Sequence, residues 1–168
     1  MIKPMLAQKV NTKPIDWTKK VFVQPKLDGV RCIFTKDGAY SRNHKQFKNV
    51  DHLQDDLQDF FKKFPDIVLD GELYNHALKQ DFEKIISLVR KQKPSEQDRS
   101  EASNLVQFHV YDVITEPNFT YEFRHNMLAL QLPIVKSITL IKNTVVESYN
   151  EAKMLHAVHL AQGYEGSM

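Results

Sequence analysis

The chain is poor in the residues that build disulfides and metal knuckles, with one cysteine, Cys32, in 168 residues. An internal disulfide and a C-x-x-C redox or metal pair are therefore excluded. Glycine is scarce as well. The five glycines stand at 29, 38, 71, 163 and 166, positions from which neither G-x-x-x-x-G-K-[ST] nor G-x-G-x-x-G can be spelled. H-E-x-x-H and G-x-S-x-G are also missing. No run of eighteen apolar residues occurs, and Met1-Ile2-Lys3-Pro4 opens no apolar signal segment, so a soluble, cytoplasmic protein with no membrane partner is expected. No sign of charge dominates, since the formal net charge is +2. Basic residues gather locally at 19–20, 42–48 and 90–93, which permits phosphate contacts and is equally the pattern of a solvated surface.

What is present is ordinary globular material, 42% hydrophobic and 26% charged, enough for one domain with a sizeable core. Cys32 alternates with Val30 and Phe34 on a strand-like run, which reads as a buried structural thiol. Short strands are expected at 21–23 and 30–35, with Asp37-Gly38 turning the chain into a third strand at 39–41. Leu53, Leu57, Phe60, Phe61 and Phe64 recur at helical spacing up to Pro65. A strand at 67–69 precedes a second amphipathic helix bearing Phe82, Ile85, Ile86 and Val89. Residues 93–104 are polar throughout and read as a loop. Further on, 105–114 is strand-like and 119–130 helical. Residues 138–141 and 144–146 flank Lys142-Asn143 as a hairpin, and Ser148-x-x-Glu151 is a capping box for a helix that Gly163 ends. Hairpins separated by helices, without regular βαβ alternation, indicate an α+β fold with antiparallel sheets flanked by helices.

Lys26-Leu27-Asp28-Gly29-Val30-Arg31 is the densest chemistry in the chain. At average frequencies K-x-D-G-x-R arises by chance in about one chain of this size in several hundred. A lysine is a nucleophile only when neutral, and at a reference pKa near 10.4 only about one in 2,500 is neutral at pH 7. Pro25 fixes the approach to the turn, Gly29 lets the backbone bend beside a ligand, and Arg31 offers a bidentate fork for phosphate or ribose oxygens. Taken alone, the run is also compatible with an exposed Asp-Gly turn. Asp70 and Glu72, two apart on a strand, project to one side and suit either a metal or ribose hydroxyls. Glu165-Gly166 presents another carboxylate beside a flexible link, and Tyr111 is a candidate platform for a nucleobase. Together these residues describe a site for nucleotide transfer. His156 and His159 share a helical face, lack a clear third ligand, and read as surface residues.

The order of these elements resembles that of the covalent nucleotidyltransferase superfamily of ATP-dependent DNA ligases and mRNA capping enzymes. Lys26-Leu27-Asp28-Gly29-Val30-Arg31 is similar to its motif I, Ser41-Arg42-Asn43 to motif Ia, and Asp70-Gly71-Glu72-Leu73 to motif III. Phe108-His109-Val110-Tyr111-Asp112 is similar to motif IIIa and Glu165-Gly166-Ser167-Met168 to motif IV. Pro4-Met5-Leu6-Ala7 and the Glu-Gly start of motif IV resemble ligases more than capping enzymes, and the stretch 81–91 resembles small bacteriophage-type ligases.

The resemblance implies an ATP-grasp-like adenylation domain covering 1–168, acting with ATP and Mg2+ on nicked double-stranded DNA as a monomer. Lys26 would carry the AMP adduct. Gln24, Pro25 and Leu27 would line the nucleotide, Arg31 and Glu72 would hold the ribose, and Tyr111 would stack on adenine. Arg42 would meet the nucleotide or the 5′-phosphate of the DNA, and Asp70 and Glu165 would serve the metal. An RNA ligase, a guanylyltransferase and a non-catalytic nucleotide- or nucleic-acid-binding remnant remain alternatives. The chain stops after motif IV, before the family's K-x-K motif V and OB-fold domain. It is therefore expected to bind ATP weakly and to seal nicks poorly, if at all.

Overall fold

The computed structural model describes residues 4–115 and 119–168. In chain order the first strands are β1 (Val21–Val23), β2 (Pro25–Lys26), β3 (Val30–Thr35) and β4 (Gly38–Tyr40). Helices α1 (Asp51–Asp56) and α2 (Gln58–Lys63), strand β5 (Val68–Tyr74), a 3₁₀ turn (His76–Leu78) and helix α3 (Phe82–Val89) follow. Then come α4 (Glu96–Leu105), β6 (Gln107–Ile114), α5 (Tyr121–Gln131), β7 (Ile138–Leu140), β8 (Thr144–Val146), α6 (Tyr149–Ala161) and β9 (Gly166–Ser167). Contacts divide the chain into two compact units, one of Gly29–Leu140 with Pro4, the other of Met5–Asp28 and Ile141–Met168.

The larger unit is a five-stranded sheet of order β4-β3-β5-β6-β7, antiparallel except that β7 runs parallel to β6. Alternation places Cys32, Phe34, Leu69, Leu73, Phe108, Val110 and Val113 in one core with Leu53, Leu57, Phe61, Ile85, Val89 and Leu128 from the helices. Phe34 anchors it, with ring centroids 5.3 Å from Phe108 and 6.1 Å from Phe61. Full burial of such side chains supplies about 1.5–3 kcal/mol each. Cys32 is wholly buried, as expected of a structural thiol, and burial pushes its pKa well up.

Three local expectations change. Residues 93–104 are mostly helix, not loop. Ser95 accepts from the Asp98 amide while Asp98 accepts from the Ser95 amide, a reciprocal cap. Ion pairs Lys84–Glu101, Lys91–Asp98 and Arg99–Asp51 then tie α4 to its surroundings. Because α4 buries only Ala102 among its residues, it shows none of the apolar periodicity that reveals a helix. The hairpin expected across Lys142-Asn143 does not form, because β7 pairs with β6 and β8 with β1. The helix expected over 53–64 is broken at fully buried Leu57, whose φ of −92° and ψ of 0° separate α1 from α2.

The smaller unit holds two short antiparallel ribbons, β1 with β8 and β2 with β9. Ser148 caps α6 by accepting from the Glu151 amide at 3.3 Å, while the Glu151 carboxylate reaches back to the Glu147 amide at 2.9 Å. At the other end Gly163, at φ 87°, turns the chain out of the helix as expected. Its amide donates to the Leu160 carbonyl at 2.9 Å and the Tyr164 amide to the His159 carbonyl at 3.0 Å, the paired bonds of a Schellman ending.

Candidate nucleotide site

In the smaller unit, Lys26 ends β2 opposite Gly166. The Glu165 amide donates to the Lys26 carbonyl at 3.0 Å, and Gln24 and Met168 exchange two backbone bonds of 2.8 Å. This pairing brings the Lys26 ammonium against the Glu165 carboxylate as an ion pair, with the two side chains 37% and 47% exposed. Pro25 and Leu27, on either side of the lysine, are both buried. Pro25 also lacks an amide hydrogen, which an edge ribbon tolerates. Asp28 is exposed.

In the larger unit, β3, β5 and β6 present a polar face. Arg31 donates from Nε and Nη2 to the two oxygens of Asp70, both at 2.6 Å. Its guanidinium carbon lies 5.3 Å from the centroid of the Tyr111 ring, a cation–π geometry. The Tyr111 hydroxyl donates to Glu72 at 2.5 Å. Burial, reinforced by the Glu72 carboxylate, pushes the Tyr111 phenol far up, so it remains a donor. Glu72 is 8% exposed, a position a carboxylate holds only with partners. A bulge creates this cluster: Asp70 faces Asp112 and Gly71 faces Val110, leaving Tyr111 as an extra residue on β6. A Cβ on Gly29 would come within 2.6 Å of the Leu73 carbonyl and also strike the Glu72 side chain. Glycine there is a packing requirement.

The loop after β4 carries Arg42. It is closed by Ser41 and Lys45, whose backbones bond at 2.8 Å, and by His44 at φ 63°. Arg42 Nε is buried without a hydrogen-bond partner. Beside the loop lies a cleft of about 350 Å³, lined by Val30, Ser41, Asn43, Lys45, Phe47 and Arg90 among others. Asp112 is bound by Arg124 of α5 at 2.6 and 2.8 Å.

Of the two carboxylates expected at a metal, Asp70 has both oxygens committed to Arg31, while Glu165 pairs with Lys26. Among the described residues no group of three or more His, Cys, Asp or Glu could hold an ion. Two features escaped sequence reasoning. His159 is 7% exposed instead of lying at the surface, its Nδ1 2.8 Å from the Ser167 hydroxyl. His109 is also buried and sits edge-on to Tyr74, where burial and the neighbouring His76 push its pKa down to about 4. His159 lies outside the motif-like segments, and His109 sits within Phe108-His109-Val110-Tyr111-Asp112 without having been singled out. The only available hint was the i, i+3 spacing of His156 and His159 ahead of Glu165-Gly166-Ser167.

Comparison with known proteins bears on the fold and the family. The DNA ligase of African swine fever virus (strain Badajoz 1971 Vero-adapted) is 28% identical over an alignment taking in 100% of this chain and 41% of the viral enzyme. The chain thus spans about two fifths of the length of that relative. A structure from a study of DNA binding by Lig E DNA ligases superimposes with a TM-score of 0.76 at 20% identity, covering 99% of this chain and 60% of the other. The ATP-dependent DNA ligase of bacteriophage T7, in complex with ATP, gives 0.66 at 18% identity, covering 88% and 55%. These two likenesses bear on the fold, which is the mixed α+β fold of ligase nucleotidyltransferase domains. Residues 4–168 match the family model described as the ATP dependent DNA ligase domain, and the chain belongs to that family.

Proposed function

We propose that residues 1–168 constitute the adenylation domain of a DNA ligase and that Lys26 is its nucleophile. The observation that carries this is the Lys26–Glu165 ion pair at the β2–β9 ribbon, set within a chain of the ATP-dependent ligase family. In that pair the amine is the donor, so attack requires its release and loss of a proton, for which Glu165 is the acceptor already bonded to it. The amine then bonds to the α-phosphorus of ATP as the bond from that phosphorus to the bridging oxygen breaks, and pyrophosphate departs. The AMP passes to the 5′-phosphate at a nick in double-stranded DNA, and the 3′-hydroxyl displaces it.

The other residues bind and orient. Tyr111, with its rigid flat ring, offers a stacking platform for adenine, and Glu72 a buried acceptor for ribose hydroxyls. Arg31, clamped by Asp70, keeps a fixed positive charge for the nucleotide. Gln24, Pro25 and Leu27 would line the base and ribose. Arg42, with its buried unpaired Nε, would take a phosphate of the nucleotide or of the DNA. Magnesium suits a site with one or two carboxylates and substrate phosphates; Glu165 fits that description, and Asp70 does so only if Arg31 releases it. When bound, the ion supplies charge neutralisation at phosphate oxygens. No described helix is long and apolar enough to cross a membrane.

Intact-mass spectrometry after incubation with ATP and magnesium tests the reading. The wild-type chain should gain one AMP, and Lys26→Ala none. Absence of the wild-type adduct, or its persistence in Lys26→Ala, overturns the assignment. An adduct from GTP instead indicates a guanylyltransferase, and AMP transfer to nicked RNA in preference to nicked DNA indicates an RNA ligase.

A further inference from the structure

The β2–β9 ribbon is two residues long on each side, and a two-stranded ribbon of that length is marginal by itself. Glu165 nevertheless has to meet Lys26 in one geometry. Its position is set from α6. One turn of that helix, through His156 and His159 at i, i+3, faces the returning chain. The His159 carbonyl accepts from the Tyr164 amide at 3.0 Å, and the His159 ring lies edge-on to Tyr164 with centroids 6.0 Å apart. The same ring places Nδ1 2.8 Å from the Ser167 hydroxyl, and His156 Nδ1 stands 3.3 Å from that hydroxyl. A hydroxyl has one proton to donate and two lone pairs to accept with, so Ser167 can bond to both rings at once. Glu165 is therefore held between Tyr164, bonded to the His159 carbonyl and set against its ring, and Ser167, bonded to the ring itself.

We propose that His159, acting through Ser167 and Tyr164, is a positioning residue that sets the Glu165 carboxylate against the Lys26 amine. It touches neither reacting group. The inference rests on the reading of Lys26 as the nucleophile only for its catalytic consequence; the geometric part stands separately.

The test uses the full chain with Ser167→Ala, His159→Ala and the conservative His159→Asn, whose amide can occupy the place of Nδ1. The first measurement needs no nucleotide. Lys26 is acetylated with an N-hydroxysuccinimide ester and its rate read by peptide mass spectrometry against exposed Lys36. Loss of an exposed ion pair should raise the Lys26 rate about threefold in Ser167→Ala and His159→Ala, and His159→Asn should restore it. The second follows AMP attachment. Here kcat should fall about tenfold with KM for ATP within about twofold of wild type, as expected when a reacting group is misplaced. Ser167→Ala removes one oxygen and keeps the fold, so it decides the matter even where His159→Ala does not fold. Wild-type Lys26 labelling rates in Ser167→Ala overturn the inference. So does a rise in KM at constant kcat. If wild-type chain takes no AMP, the adenylation reading fails, while the labelling result still decides whether His159 positions Glu165.

Discussion

Asp70→Asn separates a structural from a metal-binding role for the first acidic residue of Asp70-Gly71-Glu72. In the structure both Asp70 oxygens accept from Arg31 at 2.6 Å, with the two side chains 13% and 32% exposed. Hydrogen bonds to charged groups contribute about 1.5–3 kcal/mol each when buried. Arg31 is nearly one-third exposed, so water screens part of that, and the pair as a whole is worth about 2 kcal/mol. Asparagine keeps the shape and one acceptor but loses the charge and the second acceptor. The urea midpoint should fall with an unchanged slope, and the melting temperature should drop about 4–8 °C for a chain of this length. A double-mutant cycle with Arg31→Gln should return a coupling of about 1 kcal/mol or more. Nucleotide binding should weaken because Arg31 is no longer held beside Tyr111. An unmoved urea midpoint together with a raised magnesium requirement would refute this reasoning and make Asp70 a metal ligand.

Three further outcomes are expected. His109 is pushed down to about 4 by burial, so the unfolded chain, with an ordinary imidazole near 6.5, binds the extra proton between those values. Its contribution is present above about pH 6.5 and is lost as pH falls towards 4, about 3 kcal/mol in all; His109→Phe should flatten that part of a urea-midpoint profile against pH. Tyr111→Phe removes the donor to Glu72 but keeps the ring, so stability should fall by about 1–2 kcal/mol, with ATP affinity within a few-fold, whereas Tyr111→Leu should weaken ATP binding by about tenfold. Equilibrium dialysis distinguishes the two. Ser95→Ala breaks the reciprocal cap of α4 and should cost about 1 kcal/mol in denaturant melts, which an ordinary loop at 93–104 would not show.

The strands carrying the motifs were legible because their signals are local. Alternation in 30–35 and the β-branched run before Asp70 each lie within a few residues, and the structure returns them as β3 and β5. Helix α4 was not legible. Its stability comes from a cap and from ion pairs to Lys84, Lys91 and Asp51, partners that only folding brings near. The Lys142-Asn143 hairpin failed for a related reason: the strands around it find better partners far away in sequence, Val146 opposite Val21 and Ile138 opposite Phe108.

The site divides along the same line. Lysine, arginine, carboxylates and an aromatic ring in family order were enough to point to the family, which the match over residues 4–168 bears out, because a motif is read from functional-group type and order. Which group touches which was decided in three dimensions. The bulge that frees Tyr111 for Glu72, the commitment of Asp70 to Arg31 and the grip of His159 on Ser167 all depend on strand register and burial. Register is settled by pairing energies between distant segments, and no local window contains them.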